Sequence, residues 1–159
     1  MKVNSLGLPV KESEEIVNHL NVLLCNFQIH YQNLRGLHWN IRGKRFFDLH
    51  LKFEELYNDS QIKIDLIAER VLTLGGKPFH TFSDYINNSK LNVGKDISKD
   101  TDAIQLIVES ISVLLQLERI ILEKSGEIND EGTNSMISDF ISEQEKTNWM
   151  LRAWLDEEI

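Results

Sequence analysis

Residues 46–78 read FFDLHLKFEELYNDSQIKIDLIAERVLTLGGKP, a pattern that predicts one long helix with a definite end. Apolar side chains recur at steps of three or four residues from Phe46 to Leu74, which places one face of an α-helix against a core. A glycine pair and a proline follow Leu74. They are typical of a helix end, because glycine adopts the left-handed cap conformation and proline cannot continue the helix.

The segment before this helix is predicted to be a second long helix. An apolar stripe that includes Phe27 and Leu34 predicts a helix from about Lys11 to residues 38–40. Gly43 then marks a turn so short that the two helices must be antiparallel neighbours.

Two more helices are predicted after a long connection, residues 79–100. The third helix should be capped by Asp100 or Thr101, and the fourth should start near Thr133 after a polar turn. The connection should contain a short helix at residues 83–88, whose apolar side chains can pack on the bundle.

These elements predict an all-α protein with the ferritin-like arrangement. This is a four-helix bundle with a long crossover, carrying a short helix, between helices 2 and 3. No segment shows the alternation typical of a β-strand. Residues 1–159 suit a single domain with its own core, and residues 1–10 form a short N-terminal tail.

Composition argues against several classes of protein. The formal net charge of −8 disfavours a protein that wraps nucleic acid by bulk electrostatics. The single cysteine, Cys25, excludes an internal disulfide and fits a reducing compartment. Neither a signal peptide nor an apolar run near the ~20 residues of a membrane span is visible. We therefore expect a cytoplasmic protein with no membrane partner.

Residues of the metal-binding type fall into two groups on the first helical hairpin. A di-iron site inside a ferritin-like bundle needs Glu-x-x-His pairs, and the sequence contains none. His38 and His50 instead flank the turn, and Glu54 follows His50 by one helical turn on the same face. Asp65 and Glu69 form the second group, four residues apart on one face of the same helix.

The two groups cannot meet within one chain. His50 and Asp65 are separated by about 22 Å along a helix that rises ~1.5 Å per residue, whereas ligands of one ion lie within about 2.0–2.6 Å of it. Two hairpins packed antiparallel about a two-fold axis bring the histidine end of one chain to the carboxylate end of the other. The sequence therefore predicts an oligomer with metal at the subunit interface. Imidazole and carboxylate ligands suit iron(II), and also zinc or manganese.

Each of these residues also has a structural interpretation. Carboxylates such as Asp65 and Glu69 are ordinary on a helix surface. His38 could be a buried histidine with satisfied hydrogen bonds, and His50 could belong to a plain surface. Only the combination of both groups favours a metal site.

The motifs together resemble the Dps family, the mini-ferritins also called DNA-binding proteins from starved cells. The resemblance covers nearly the whole chain. It rests on residues 38–43 (HWNIRG), 46–50 (FFDLH), 54–57 (EELY), 65–70 (DLIAER), 74–78 (LGGKP) and 149–153 (WMLRA).

The resemblance implies a hollow dodecamer that oxidises Fe(II), preferentially with hydrogen peroxide, stores ferric oxide and so protects against oxidative stress. Its ferroxidase sites, with one or two irons, would lie at two-fold interfaces. His38, His50 and Glu54 would come from one subunit, and Asp65 and Glu69 from its partner. The family usually has Asp at the position of Glu54, so this longer side chain would bind iron directly or through water.

Three further residues receive roles from the resemblance. Trp39, next to His38, would be an electron donor, with an interface aromatic as the alternative. Asp130 and Glu131 would line an acidic pore at the three-fold axis for iron entry, with stabilisation of a helix N-terminus as the alternative. The family often has an acid where this chain has Ser135, so the field of the pore would be weaker.

DNA binding is the alternative function, in which a nucleoid protein compacts DNA and binds iron only secondarily. Family members that bind DNA carry a mobile, lysine-rich tail. Here the first residues contain only Lys2 and Lys11, and residues 156–159 read DEEI. We therefore expect no DNA binding. A bundle whose acids and histidines are purely structural is a third possibility.

Overall fold

The computed structural model describes residues 1–157 and confirms the predicted all-α bundle. Glu158 and Ile159 lie outside the described residues. Apart from an isolated bridge between Val3 and Pro9, residues 1–157 form no β-structure. The helices are α1 (Val10–Asn40), α2 (Phe46–Thr73), α3 (Phe82–Asn88), α4 (Asp100–Glu127) and α5 (Glu131–Trp154).

Two hairpins, α1 with α2 and α4 with α5, pack together mainly through α1 and α4. The short crossover helix α3 packs on α1. Gly75 has a φ of +87° and Gly43 a φ of +115°, so glycine stands where each helix end or turn needs the left-handed region. Both groups of candidate metal ligands lie on the α1–α2 hairpin.

Asparagine side chains along α1 fix the path of the crossover. The amide of Asn21 donates to the carbonyl oxygen of Lys77 at 3.0 Å and accepts from the N–H of Phe79 at 2.9 Å. Asn33 accepts from the N–H of Gly94 at 2.9 Å in the same way. These side chains thus provide hydrogen-bond partners for backbone N–H and C=O groups of the crossover that have no partner in a helix or strand.

The core consists of two apolar clusters that follow each other along the bundle. One contains Phe27, Ile67 and Phe140, and the other contains Leu34 and Phe53. A layer of buried polar side chains interrupts the apolar core, and each long helix contributes one of them. The charge of the α2 member acts on the members from α1 and α4, and the α4 and α5 members are hydrogen-bonded. This interior polar layer consists of His30, Lys63, Glu118 and Gln144.

Two predicted helix starts were wrong by one or two residues. Neither Asp100 nor Thr101 caps α4, because Lys99 occupies the N-cap position without a side-chain bond and Asp100 already belongs to the helix. α5 begins at Glu131, two residues before the predicted start. The side chain of Asp130 accepts from the N–H of Thr133 and so provides the cap.

Candidate metal centre

His38 and His50 hold each other in place at the turn between α1 and α2. Nδ1 of His38 lies 2.6 Å from the carbonyl oxygen of His50, and Nδ1 of His50 lies 2.7 Å from the carbonyl oxygen of His38. Because a carbonyl oxygen can only accept, each Nδ1 carries a proton and donates it. In the neutral form with a proton on Nδ1, each ring keeps a lone pair on Nε2, which is the tautomer that a metal ligand needs.

The two imidazole rings are stacked, with centroids 3.7 Å apart and planes inclined by 11°. The lone pair of Nε2 lies in the plane of its ring, so a bound ion lies near that plane, about 2.0–2.1 Å from the nitrogen. One ion cannot lie in two nearly parallel planes that are separated by a stacking distance. In this conformation the two rings cannot both bind one ion through Nε2, and whether the site holds one iron or two stays a prediction.

Aromatic side chains enclose the histidine pair. Phe46 stacks on His50 with centroids 4.9 Å apart, and Tyr57 meets His38 edge-on at 5.4 Å. The sequence signal for these contacts is the spacing along α2, since Phe46, His50 and Tyr57 are separated by four and seven residues and share a face. Tyr57 was not among the site residues predicted from the sequence. The enclosure keeps His38 buried while His50 remains partly accessible.

Trp39 lies on the outer surface of α1. Its side chain is 58% exposed, and the guanidinium carbon of Arg35 lies 4.9 Å from its ring centroid. The same guanidinium lies 5.3 Å from the ring of Tyr31. The role of Trp39 as an electron donor stays a prediction.

Asp65 and Glu69 are exposed on α2, as ligands offered to a second chain must be. Large apolar side chains stand among them, with Ile62 62% exposed and Leu66 43% exposed. Asp65 also borders an open groove next to Tyr31 of α1. This part of α2 therefore presents apolar side chains and acids together on its outer surface.

One chain does not bring the two groups of candidate ligands together. Within residues 1–157, no three His, Cys, Asp or Glu side chains form a group that could hold a metal ion. Glu54 lies partly buried near His50, while Asp65 and Glu69 follow farther along the same helix. The assignment of all five residues to a shared site stays a prediction.

The two pore candidates have different surroundings. Asp130 is buried, accepts from the N–H of Thr133 at 3.1 Å and forms an ion pair with Arg70 at 2.5 Å. Its carboxylate thus links α2 to the start of α5 inside the subunit. Glu131 is exposed. The assignment of both acids to a pore stays a prediction. Gly132 leaves room for Arg70, since a Cβ there would lie 2.7 Å from its Nη1.

The interior polar layer and the ion pair of Arg70 were not predicted from the sequence. His30 was given no role, although it interrupts an apolar stripe, and Arg70 directly follows a candidate ligand in the sequence. Neither signal identifies a partner, because the partners come from helices far away in the chain.

No helix within residues 1–157 is long and apolar enough to cross a membrane.

Comparisons with known proteins agree with this architecture. The Ferritin family, described as a ferritin-like domain, matches residues 17–158. A DNA protection during starvation protein from Porphyromonas gingivalis is 39% identical over 148 residues, which cover 93% of each chain. An uncharacterised protein from Haemophilus influenzae is 41% identical over 153 residues, 96% of each chain.

Solved structures show the same fold over almost the whole length. The crystal structure of a Dps protein from Vibrio cholerae O1 superimposes with a TM-score of 0.95 at 49% identity and covers 98% of both chains. Its description places that protein in a broad superfamily of ferritin-like diiron-carboxylate proteins. A Dps protein from Bacillus brevis superimposes with a TM-score of 0.89 at 30% identity, over 98% of this chain and 99% of that one.

Proposed function

This chain belongs to the Dps proteins of the ferritin-like family, and we propose that it oxidises Fe(II), preferentially with hydrogen peroxide, and stores the ferric product inside a closed dodecamer. Iron binding follows from membership of a superfamily of diiron-carboxylate proteins. The finer assignment, an interfacial ferroxidase that protects against oxidative stress, rests on the residues of the candidate metal centre.

The histidine pair carries the proposal. Both Nδ1 atoms are used by reciprocal hydrogen bonds, so both Nε2 atoms are left as ligands for incoming metal. Glu54, one turn beyond His50, adds a carboxylate to this half of the site.

The other half comes from a second copy of the chain, with Asp65 and Glu69 as its ligands. These acids stand among exposed apolar side chains, Ile62 and Leu66, which a partner subunit would cover. Antiparallel packing of two α1–α2 hairpins pairs each histidine end with a carboxylate end and generates two equivalent sites. The exposed acid Glu131 is proposed to guide iron into the shell.

The ligand set accounts for the chemistry of oxidation. Carboxylate oxygens stabilise Fe(III) more than Fe(II), so they favour loss of an electron. Two bound Fe(II) ions supply one electron each to one hydrogen peroxide, which takes up two protons and becomes two waters. No hydroxyl radical is released, because the oxygen–oxygen bond receives both electrons. Protection against oxidative damage then follows from the two-electron stoichiometry.

Co-assembly of complementary variants tests the shared site. One parent carries His38→Ala and His50→Ala, and the other carries Asp65→Ala and Glu69→Ala. Where the two meet at a two-fold interface, one site has all four lesions and the other has none. Co-expressed shells, shown by mass spectrometry to contain both chains, should recover part of the Fe(II) oxidation rate that neither parent shell has.

A matched control is co-assembly of His38→Ala with His50→Ala. Since both histidines of a site are proposed to come from one chain, every site then keeps a lesion and no rate should return. Absence of recovery in shells shown to be mixed for the first pair, or recovery in the control pair, refutes the shared site. If the unaltered shell does not oxidise Fe(II), the proposed function itself is refuted.

A further inference from the structure

The interior polar layer has no part in the proposed interface site, yet it is unusually polar for the centre of a bundle. Gln144 Nε2 lies 2.5 and 2.6 Å from the two carboxyl oxygens of Glu118. The ammonium of Lys63 lies 5.3 Å from the centroid of the Phe140 ring, and Phe140 in turn packs edge-on against Phe27. The layer's four side chains, His30, Lys63, Glu118 and Gln144, are exposed by 6%, 3%, 0% and 7%.

Three side chains of the layer have the chemistry of metal ligands. Burial, with a smaller contribution from the charge of Lys63, lowers the pKa of His30 to about 4, so its imidazole is neutral. Glu118 offers a carboxyl group. Gln144 Oε1 is buried and has no hydrogen-bond partner, so an acceptor inside the bundle is left unused.

The fourth side chain is a cation. Ferritin-like bundles that hold iron inside bind it with carboxylates and histidines from their helices, whereas α2 contributes Lys63 to this layer. Its Nζ lies 2.7 Å from Asp59 and 2.6 Å from Glu143, whose side chains are about half exposed at the edge of the layer. These pairs hold the ammonium in place. The residues of the layer therefore do not fit a bound metal ion.

We propose that Lys63 excludes divalent metal ions from the bundle interior, and that His30, Glu118 and Gln144 form a latent transition-metal site that its ammonium keeps closed. A divalent ion beside a fixed ammonium in a low-dielectric interior is repelled strongly enough to weaken binding on the order of 10²-fold or more. Lys63 is thereby a specificity-determining residue that confines metal chemistry to the subunit surface. This inference does not depend on the interface site.

The test uses Co(II) as the probe in shells that also carry His38→Ala and His50→Ala, so that the interface histidines do not contribute. Lys63→Met removes the ammonium but keeps an apolar side chain of similar length. These shells should bind about one additional Co(II) per chain, with the visible absorption bands of a nitrogen–oxygen site. Adding Glu118→Gln should abolish that binding. Lys63→Glu should bind Co(II) more tightly than Lys63→Met, because it adds a carboxylate.

Lys52→Met is the matched control. Lys52 lies on the same helix and pairs with Glu55 at the surface, so this variant changes the net charge equally without reaching the layer. It should bind no more Co(II) than the His38→Ala/His50→Ala shell.

The proposal is overturned if the His38→Ala/His50→Ala shell, with Lys63 intact, already binds Co(II) and the further change Glu118→Gln abolishes that binding. It is also overturned if assembled Lys63→Met shells bind no more than the Lys52→Met control. Where Lys63→Met does not assemble, Lys63→Gln carries the same expectation. Failure of both to assemble refutes it as well, because the ammonium would then be required for folding.

Discussion

Replacing Glu118 with glutamine should stabilise the protein by an amount that grows as the pH rises. Burial is the main cause that raises the pKa of Glu118 from 4.5 to about 8. The unfolded chain therefore loses this proton near pH 4.5, while the folded chain keeps it until about pH 8. Between these values the unfolded state binds fewer protons, so the free energy of unfolding falls as the pH rises.

The size of the effect follows from the shift in pKa. Each pH unit between the two pKa values lowers the free energy of unfolding by about 1.36 kcal/mol. Between pH 4.5 and pH 7 the free energy of unfolding therefore falls by about 3 kcal/mol per chain, as an upper bound. Glu118→Gln keeps the shape of the side chain and cannot ionise. The amide oxygen of the new glutamine can still accept from Gln144 Nε2, which contacts both carboxyl oxygens of Glu118 in the parent protein.

The assay is the difference in Tm between Glu118→Gln and parent shells at pH 5, 6, 7 and 8. Burial lowers the pKa of His30, which makes the parent less stable as the pH falls through the range between its unfolded and folded pKa. His30 is present in both proteins, so its contribution cancels in the difference. The difference should be small at pH 5 and reach several degrees at pH 8.

Glu145→Gln is the control, because Glu145 is a half-exposed carboxylate that pairs with Arg119 at the surface. It removes the same charge, and its Tm difference should stay small at every pH. Both variants are compared with the parent at one chain concentration and scan rate, since shell stability depends on assembly. A Glu118→Gln difference that is equal at pH 5 and pH 8, or that decreases with pH, refutes the reasoning.

Three further predictions concern assembly, DNA and the link between α2 and α5. Light scattering should give a closed particle with a mass near twelve times 18.5 kDa, and a monomer at micromolar concentration contradicts the two-chain site. Plasmid DNA should not be retarded in a gel at neutral pH and moderate salt, because a chain of net charge −8 repels it; a clear shift means that assembly creates a basic surface. Gly132→Ala should lower the Tm by several degrees, because its Cβ would displace Arg70 from Asp130. Gly36→Ala, whose Cβ meets nothing within 4 Å, should not; equal effects of the two substitutions count against the proposed clash.

The sequence alone predicted the helices and separated the candidate ligands into two groups, because both inferences depend on local spacing. Apolar periodicity and the glycine pair at residues 75–76 predicted α2 to within a residue of its observed end at Thr73. The rise of an α-helix was enough to separate His50 from Asp65 and to predict a second chain. No tertiary information enters either argument.

Tertiary structure alone decided how side chains from distant segments meet. The reciprocal hydrogen bonds of His38 and His50 depend on the angle at which α1 and α2 pack, which no residue pattern specifies. The sequence predicts Asp130 as a pore acid, which stays a prediction, but only the structure shows that Arg70 reaches it from α2 and that it caps α5. The interior polar layer forms only when four helices converge, because each of its members alone is a single polar interruption of an apolar stripe.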